Sequence, residues 1–286
     1  MPRSAPVDGF RLAYERHGGG TPVVLLHGWP GSREDYADVR ARLADAGADV
    51  LVPDLRGFGE SDRHADARPA AYGAGGQAAS VLGLLAELGL RQAVLVGYDV
   101  GSRVAQAIAR RDPGAARALV VAPPLPGVGD RILTPEAQRE FWYQPFHQLP
   151  LADELIDGRP SLVRAYLTHF WLHWSGPRWS PARAALDRLV ALYARPGAFA
   201  ASIGWYRAGA GTVALASAER PPRRADRLAT PTTVLWPDSD PLFPLAWADR
   251  LDDHFERAEL RVLRDVGHFV PLEAPDAMAR AIRERL

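Results

Sequence analysis

Short apolar runs rich in branched residues recur along this chain, and segments with helical periodicity separate them. "VVLLHG" from Val23, "DVLVPD" from Asp49 to Asp54, "AVLVG" from Ala93 and "ALVVA" from Ala118 come first. "TTVLWP" from Thr232 and "LRVLRDVGH" from Leu260 follow late in the chain. Runs of four to six apolar residues without polar alternation predict strands buried on both faces, hence a parallel sheet. The segment "REDYADVRARLADAG" between two of them predicts a helix from near Ser32 to Gly47. Another helix, "DAMARAIRERL", is expected after Pro275.

The rhythm lapses between Val121 and about Arg224. That stretch contains "REFWYQPFHQLPLADEL", "LVRAYLTHFWLHWSG" and "SPARAALDRLVALYA", all helical in character. The chain therefore reads as an α/β core, residues 1–123 and 225–286, interrupted by a helical cap over residues 124–224. At 286 residues it is long enough to bury a large core without staples.

Composition narrows the function. The 34 basic residues balance 34 acidic ones, and no basic run carries interleaved aromatics, so nucleic-acid binding is not expected. The absence of cysteine excludes disulfides, thiol catalysis and cysteine-held metals. The opening "MPRSAPVDGFRLAYERH" lacks the apolar core of a secretory signal, and no stretch has a membrane-spanning length. A cytoplasmic protein without membrane attachment is expected. Its oligomeric state stays open between monomer and homodimer.

Chemistry concentrates in "VGYDVGSR", residues 96–103. A strand ending in Gly97, a residue flanked by Gly101, and a following helix form the layout of a nucleophile elbow. The centre is Asp99, where serine is usual. Glycines beside an aspartate also occur in plain turns, where Asp99 would only cap the helix. Further elements favour the catalytic reading. In "LLHGWPGS" the turn after a strand can aim the Trp29 N–H at a developing oxyanion, together with that of Val100. His27 sits beside it, either bracing the loop or lining the site. His268 in "DVGHFVPLEAP" lies beyond the last strand, where a general base is expected. The acid belongs between nucleophile and histidine, and "VLWPDSDPLFP" supplies Asp240, with Asp238 as its rival.

With "HGWP", "DLRGFGESD" and "VGHF" added, the chain resembles the α/β-hydrolase superfamily over essentially its whole length. The resemblance implies a mostly parallel sheet flanked by helices. An aspartate nucleophile is similar to two branches, the epoxide hydrolases and the dehalogenases. Both form an aspartyl ester on carbon that a histidine-activated water cleaves. The epoxide branch adds two cap tyrosines as proton donors, and "FWYQPFHQ" and "GWYRAG" supply Tyr143 and Tyr206 in matching settings. Neighbouring Trp142, Gln144 and Trp205 are expected to contact substrate.

The resemblance to dehalogenases is less complete. Fluoroacetate-type enzymes carry two arginines after the nucleophile, where this chain has Val100 and Arg103; their acid position holds Ala122 here. Haloalkane dehalogenases favour asparagine at the position of Trp29. The resemblance thus implies a cofactor-independent epoxide hydrolase, with a dehalogenase acting on a haloalkane or haloacid as the alternative. Its partners would be a small hydrophobic epoxide and water. His169 and His173, spaced four apart, are expected to pack within the cap without binding metal.

Overall fold

The computed structural model describes residues 1–64 and 67–286. Seven strands form one sheet: β1 Tyr14–Gly18, β2 Thr21–Leu26, β3 Ala48–Pro53, β4 Ala93–Gly97, β5 Ala116–Val121, β6 Thr232–Pro237 and β7 Ala258–Leu263. Their order is β1-β3-β2-β4-β5-β6-β7, and all pairs are parallel except β1 with β3. All six apolar runs of the sequence lie in strands. β4 is the central strand and is buried along its whole length.

The antiparallel edge strand β1, "YERHG", carries no apolar run and no expectation of it arose. Its pairing with β3 sets Arg16 opposite Leu51, two positions along from Asp49, and the guanidinium reaches diagonally to grip that carboxylate through two hydrogen bonds of 2.8 and 2.6 Å. A polar edge strand of this kind also blunts edge-to-edge association.

Helices flank the sheet: α1 Ala37–Leu43, α2 Ala74–Glu87 and α3 Val100–Arg111 precede β5. Ser32 caps a first 3₁₀ turn, Arg33–Tyr36, with Asp35 completing a capping box, and α1 continues from it. After β6 come α12 Leu251–His254, α13 Val270–Glu273 and α14 Pro275–Arg283. Between β5 and β6 the regular elements are helical throughout the described residues. They are α4 Pro135–Glu140, α5 Tyr143–His147, α6 Pro150–Ile156, α7 Pro160–His173, α8 Arg183–Tyr193, α9 Ala198–Ser202, α10 Gly204–Arg207 and α11 Thr212–Ala218. Among the described residues no helix is long and apolar enough to cross a membrane.

Two glycines let α3 approach the sheet. A Cβ on Gly97 would lie 2.3 Å from the Gly101 carbonyl, and one on Gly101 only 1.9 Å from the Leu26 oxygen. The obstacle is backbone in both cases, so no side-chain rotation relieves it. Gly101→Ala must push α3 away from β2. Overpacking of this kind costs about 3 kcal/mol. Denaturant unfolding should show at least that loss; a change below about 0.5 kcal/mol, typical of harmless surface substitutions, would refute the close-packing account.

Candidate active site

The turn between β4 and α3 holds Asp99 at φ 48° and ψ −121°, a conformation sparsely populated by residues with a Cβ. Such backbone costs about 1–3 kcal/mol and persists only where its surroundings enforce it. Here the Asp99 N–H donates to the Pro123 oxygen at 2.9 Å, and the close glycine contacts leave α3 no other path. The residue is 7% exposed. Its Oδ1 accepts a 2.6 Å hydrogen bond from the Trp29 N–H. The N–H of Val100 opens α3 and has no acceptor within the helix.

The peptide unit that supplies the Trp29 N–H is itself held. His27 donates through Nδ1 to the Gly28 oxygen at 2.9 Å, the other end of the same peptide. Its Nε2 accepts the Leu55 N–H at 3.0 Å, which fixes that tautomer. Burial pushes the His27 pKa down, so the ring stays neutral at physiological pH. The expected contact of His27 with substrate is therefore corrected: both ring nitrogens are bonded to backbone, and the side chain braces the turn.

His268 follows β7 in a turn whose neighbouring residues are largely buried. Its Nδ1 lies 2.8 Å from Asp240 Oδ2, and Asp240 Oδ1 accepts the Leu242 N–H at 2.8 Å. Asp238 points elsewhere, accepting from Asp265 N–H and Ser239 and pairing with Arg264. His268 Nε2 stands 3.4 Å from Asp99 Oδ2, an ion-pair distance without hydrogen-bond alignment. Burial by itself would lower the His268 pKa. The Asp240 carboxylate, with Asp99 after it, outweighs burial and pushes it up to about 10.

A second carboxylate shapes this turn. Glu273 accepts backbone N–H groups from Gly176 at 2.8 Å, Gly267 at 2.7 Å and Phe269 at 3.0 Å. It thereby ties the turns on both sides of His268 to the end of α7. The His268 N–H adds a 2.8 Å bond to the Trp174 oxygen, and the two rings lie 5.1 Å apart. Sequence reading missed Glu273, which lies five residues beyond the histidine, a spacing that could have flagged it. Trp174 is one of the aromatic residues that crowd the inserted stretch and could line a pocket, but the sequence does not place it against the histidine.

Across from Asp99 stand Tyr143 and Tyr206, both buried. Their rings meet edge to face at 5.5 Å, and each packs on the Trp29 indole, at 5.6 and 5.7 Å. Burial raises both phenol pKa values, and the Asp99 charge adds to it, so both hydroxyls keep their protons. Gln144 donates to the Tyr143 hydroxyl at 3.1 Å and accepts the Val213 N–H at 3.0 Å. It acts on Tyr143, not on an open surface. Trp142 departs from expectation: it is 42% exposed and stacks on Phe170. Trp205 is buried, yet among the described residues no ring contact joins it to this group. The aromatic neighbours that do converge are Phe170 and Trp174 beside Tyr143 and His147 beside Tyr206. His169 stacks on His173, whose Nε2 pairs with Glu140 at 2.7 Å. Among the described residues no group of His, Asp and Glu is disposed to hold a metal ion.

A carboxylate with one oxygen on a backbone N–H and the other facing a histidine can attack carbon and form an ester. Comparison with known proteins bears on the fold that carries this site. The soluble epoxide hydrolase of Corynebacterium sp. strain C12 is 29% identical over 95% of this chain and 92% of its own. Epoxide hydrolase A of Mycobacterium tuberculosis is 34% identical over 56% of this chain and 51% of its own. A Klebsiella pneumoniae structure, provisionally described as an epoxide hydrolase, superposes with a TM-score of 0.83 at 27% identity, covering 99% of this chain and 96% of that one. Residues 21–275 match the family described as alpha/beta hydrolase fold. The chain belongs to the α/β-hydrolase family.

Proposed function

We propose that this protein is an epoxide hydrolase that opens a small hydrophobic epoxide to a vicinal diol through an ester on Asp99. The observation that carries this reading is the pair of buried, proton-bearing tyrosines standing over an aspartate at the elbow. An epoxide oxygen leaves as an alkoxide and needs such donors; a halide does not. The names of the similar proteins support the same reading. Residues 124–224 serve as the cap that carries the tyrosines.

Tyr143 and Tyr206 hydrogen-bond the epoxide oxygen while Asp99 Oδ2 attacks a ring carbon from the opposite side. The carbon–oxygen ring bond breaks, and the alkoxide takes a tyrosine proton. Esterification removes the Asp99 charge, one of the two influences that keep His268 protonated. The imidazolium proton then restores the tyrosine, which leaves His268 neutral. Neutral His268, oriented by Asp240, takes a proton from water as the water oxygen attacks the ester carbonyl. The Trp29 and Val100 N–H groups receive the oxyanion. Collapse breaks the bond to the diol oxygen, which takes the carboxyl proton, and the carboxylate and imidazolium are restored.

Asp99→Ala should abolish diol formation, and His268→Gln should stop the cycle at the ester. Intact-mass spectrometry of His268→Gln with small epoxides should then show an added mass equal to the whole epoxide. An adduct formed only from haloacids, lighter by the lost halide, would place the protein among the dehalogenases instead. Loss of one tyrosine of two should lower kcat without abolishing turnover. Because a positioned proton donor contributes about 10²–10⁴-fold, Tyr143→Phe and Tyr206→Phe should each retain measurable activity. Unchanged kcat in both variants would remove them from the acid role.

Electrostatic coupling gives a pH test. Asp99→Asn imitates the neutral ester, so the His268 imidazole should titrate below the value of about 10 that the intact pair imposes. NMR titration of the histidine ring signals measures this, and an equal or higher pKa in the variant would contradict the proposed switch from acid to base.

A further inference from the structure

The loop from Trp29 to Gly31 is held from above by the helices between β5 and β6. Tyr193, near the end of α8, accepts the Gly31 N–H at 3.0 Å and donates to the Gly31 oxygen at 2.9 Å. Trp171, in α7, donates through Nε1 to the Pro30 oxygen at 3.2 Å. The Pro30 oxygen and the Gly31 N–H belong to one peptide unit, so that unit is gripped at both ends. The Trp29 indole is tethered as well, donating to Ser202 of α9 at 3.2 Å. Tyr193, Trp171 and Ser202 are all buried, so water does not compete for these bonds.

The next peptide unit but one, Gly28–Trp29, carries the N–H that meets Asp99. From the sheet side, His27 holds that unit by its oxygen alone. The other bond to that unit is the one its N–H makes to Asp99, whose oxygen loses charge on esterification; one scaffold bond then steadies the plane, and the grip on Pro30–Gly31 limits its rocking. We propose that Tyr193 is a positioning residue for ester hydrolysis, setting the direction of the Trp29 N–H through the Pro30–Gly31 peptide. This inference rests on the epoxide-hydrolase reading of the site.

The two chemical steps depend on that N–H unequally. During alkylation, charge leaves the Asp99 carboxylate, so a misaimed donor there matters little. During hydrolysis, charge builds on the oxygen the donor faces. A misaimed donor therefore slows the second step selectively, and the ester accumulates. Deleting an oxyanion donor outright costs about 10²–10³-fold, and displacing one should cost about tenfold.

Tyr72 provides a matched control. Its hydroxyl accepts the His64 N–H and donates to the His64 oxygen, the same double bond to one residue at another loop. Tyr193→Phe and Tyr72→Phe thus lose equivalent bonds.

The experiment uses styrene oxide, or the first epoxide found to alkylate Asp99 in His268→Gln, with rapid quenching and intact-mass detection. Tyr193→Phe should hydrolyse its ester about tenfold more slowly while forming it at a rate within about twofold of the parent. The steady-state ester fraction should rise accordingly. Tyr72→Phe should lower the thermal midpoint with no change in that fraction. Trp171→Phe, which removes the donor to Pro30 together with part of a buried ring packed on Phe269, should shift the fraction in the same direction and serves if Tyr193→Phe does not fold. An ester fraction unchanged in both α7 and α8 variants, or raised equally by Tyr72→Phe, overturns the positioning role alone. Failure of every epoxide to alkylate Asp99 in His268→Gln overturns the site reading, and this inference with it.

Discussion

One hydrogen bond joins the two turns on which the site is built: the 2.6 Å contact between the Trp29 N–H and the Asp99 carboxylate. The turn after β2 and the turn after β4 meet there because β2 and β4 are parallel neighbours at the middle of the sheet. Parallel strands end on the same edge, so the turns that follow them face each other, and ligands of open α/β sheets bind at that edge. Gly97 and Gly101 bring α3 down onto this junction, and the strained Asp99 backbone follows from their closeness. Removing the junction would separate donor from carboxylate while leaving both turns individually intact.

Charge at the centre is arranged as a chain: Asp99, His268 and Asp240, with the ring of His268 between the two carboxylates. A buried imidazolium without partners would be costly. Two anions make it the favoured form, and the Leu242 N–H satisfies the far oxygen of Asp240. The tyrosines respond to the same Asp99 charge in the same sense, holding their protons more tightly. A single ionisation state of one carboxylate thus influences three other titrating groups.

Most of the sheet was legible because burial on both faces writes continuous apolar runs into β2 to β6; β7, at the other edge and without a fully buried residue, was read from a run broken by Arg261. β1 was not, since a strand at the edge, stabilised by Arg16 on Asp49, needs no such run. Asp99, His268 and Asp240 were legible from their placement after strands. Tyr143 and Tyr206 were readable only through family resemblance, because their meeting depends on how short helices pack. For Trp142 the adjacency to Tyr143 misled: successive helical residues point in different directions, and Trp142 is turned outward. His27 was named as lining or bracing, and only the Gly28 and Leu55 hydrogen bonds distinguish the two. Tyr193 and Trp174 act across long sequence separations, for which local patterns carry no information, whereas Glu273 lies only five residues from His268.

The bond from the His268 N–H to the Trp174 oxygen, with Glu273 bridging Gly176, Gly267 and Phe269, has a mechanical implication. The end of α7 is part of the scaffold that seats the histidine. A hinged swing lifting α7 from the sheet would strip the His268 turn of two of its anchors. Within the roof over the carboxylate, α7 is therefore the fixed beam on which the histidine turn rests.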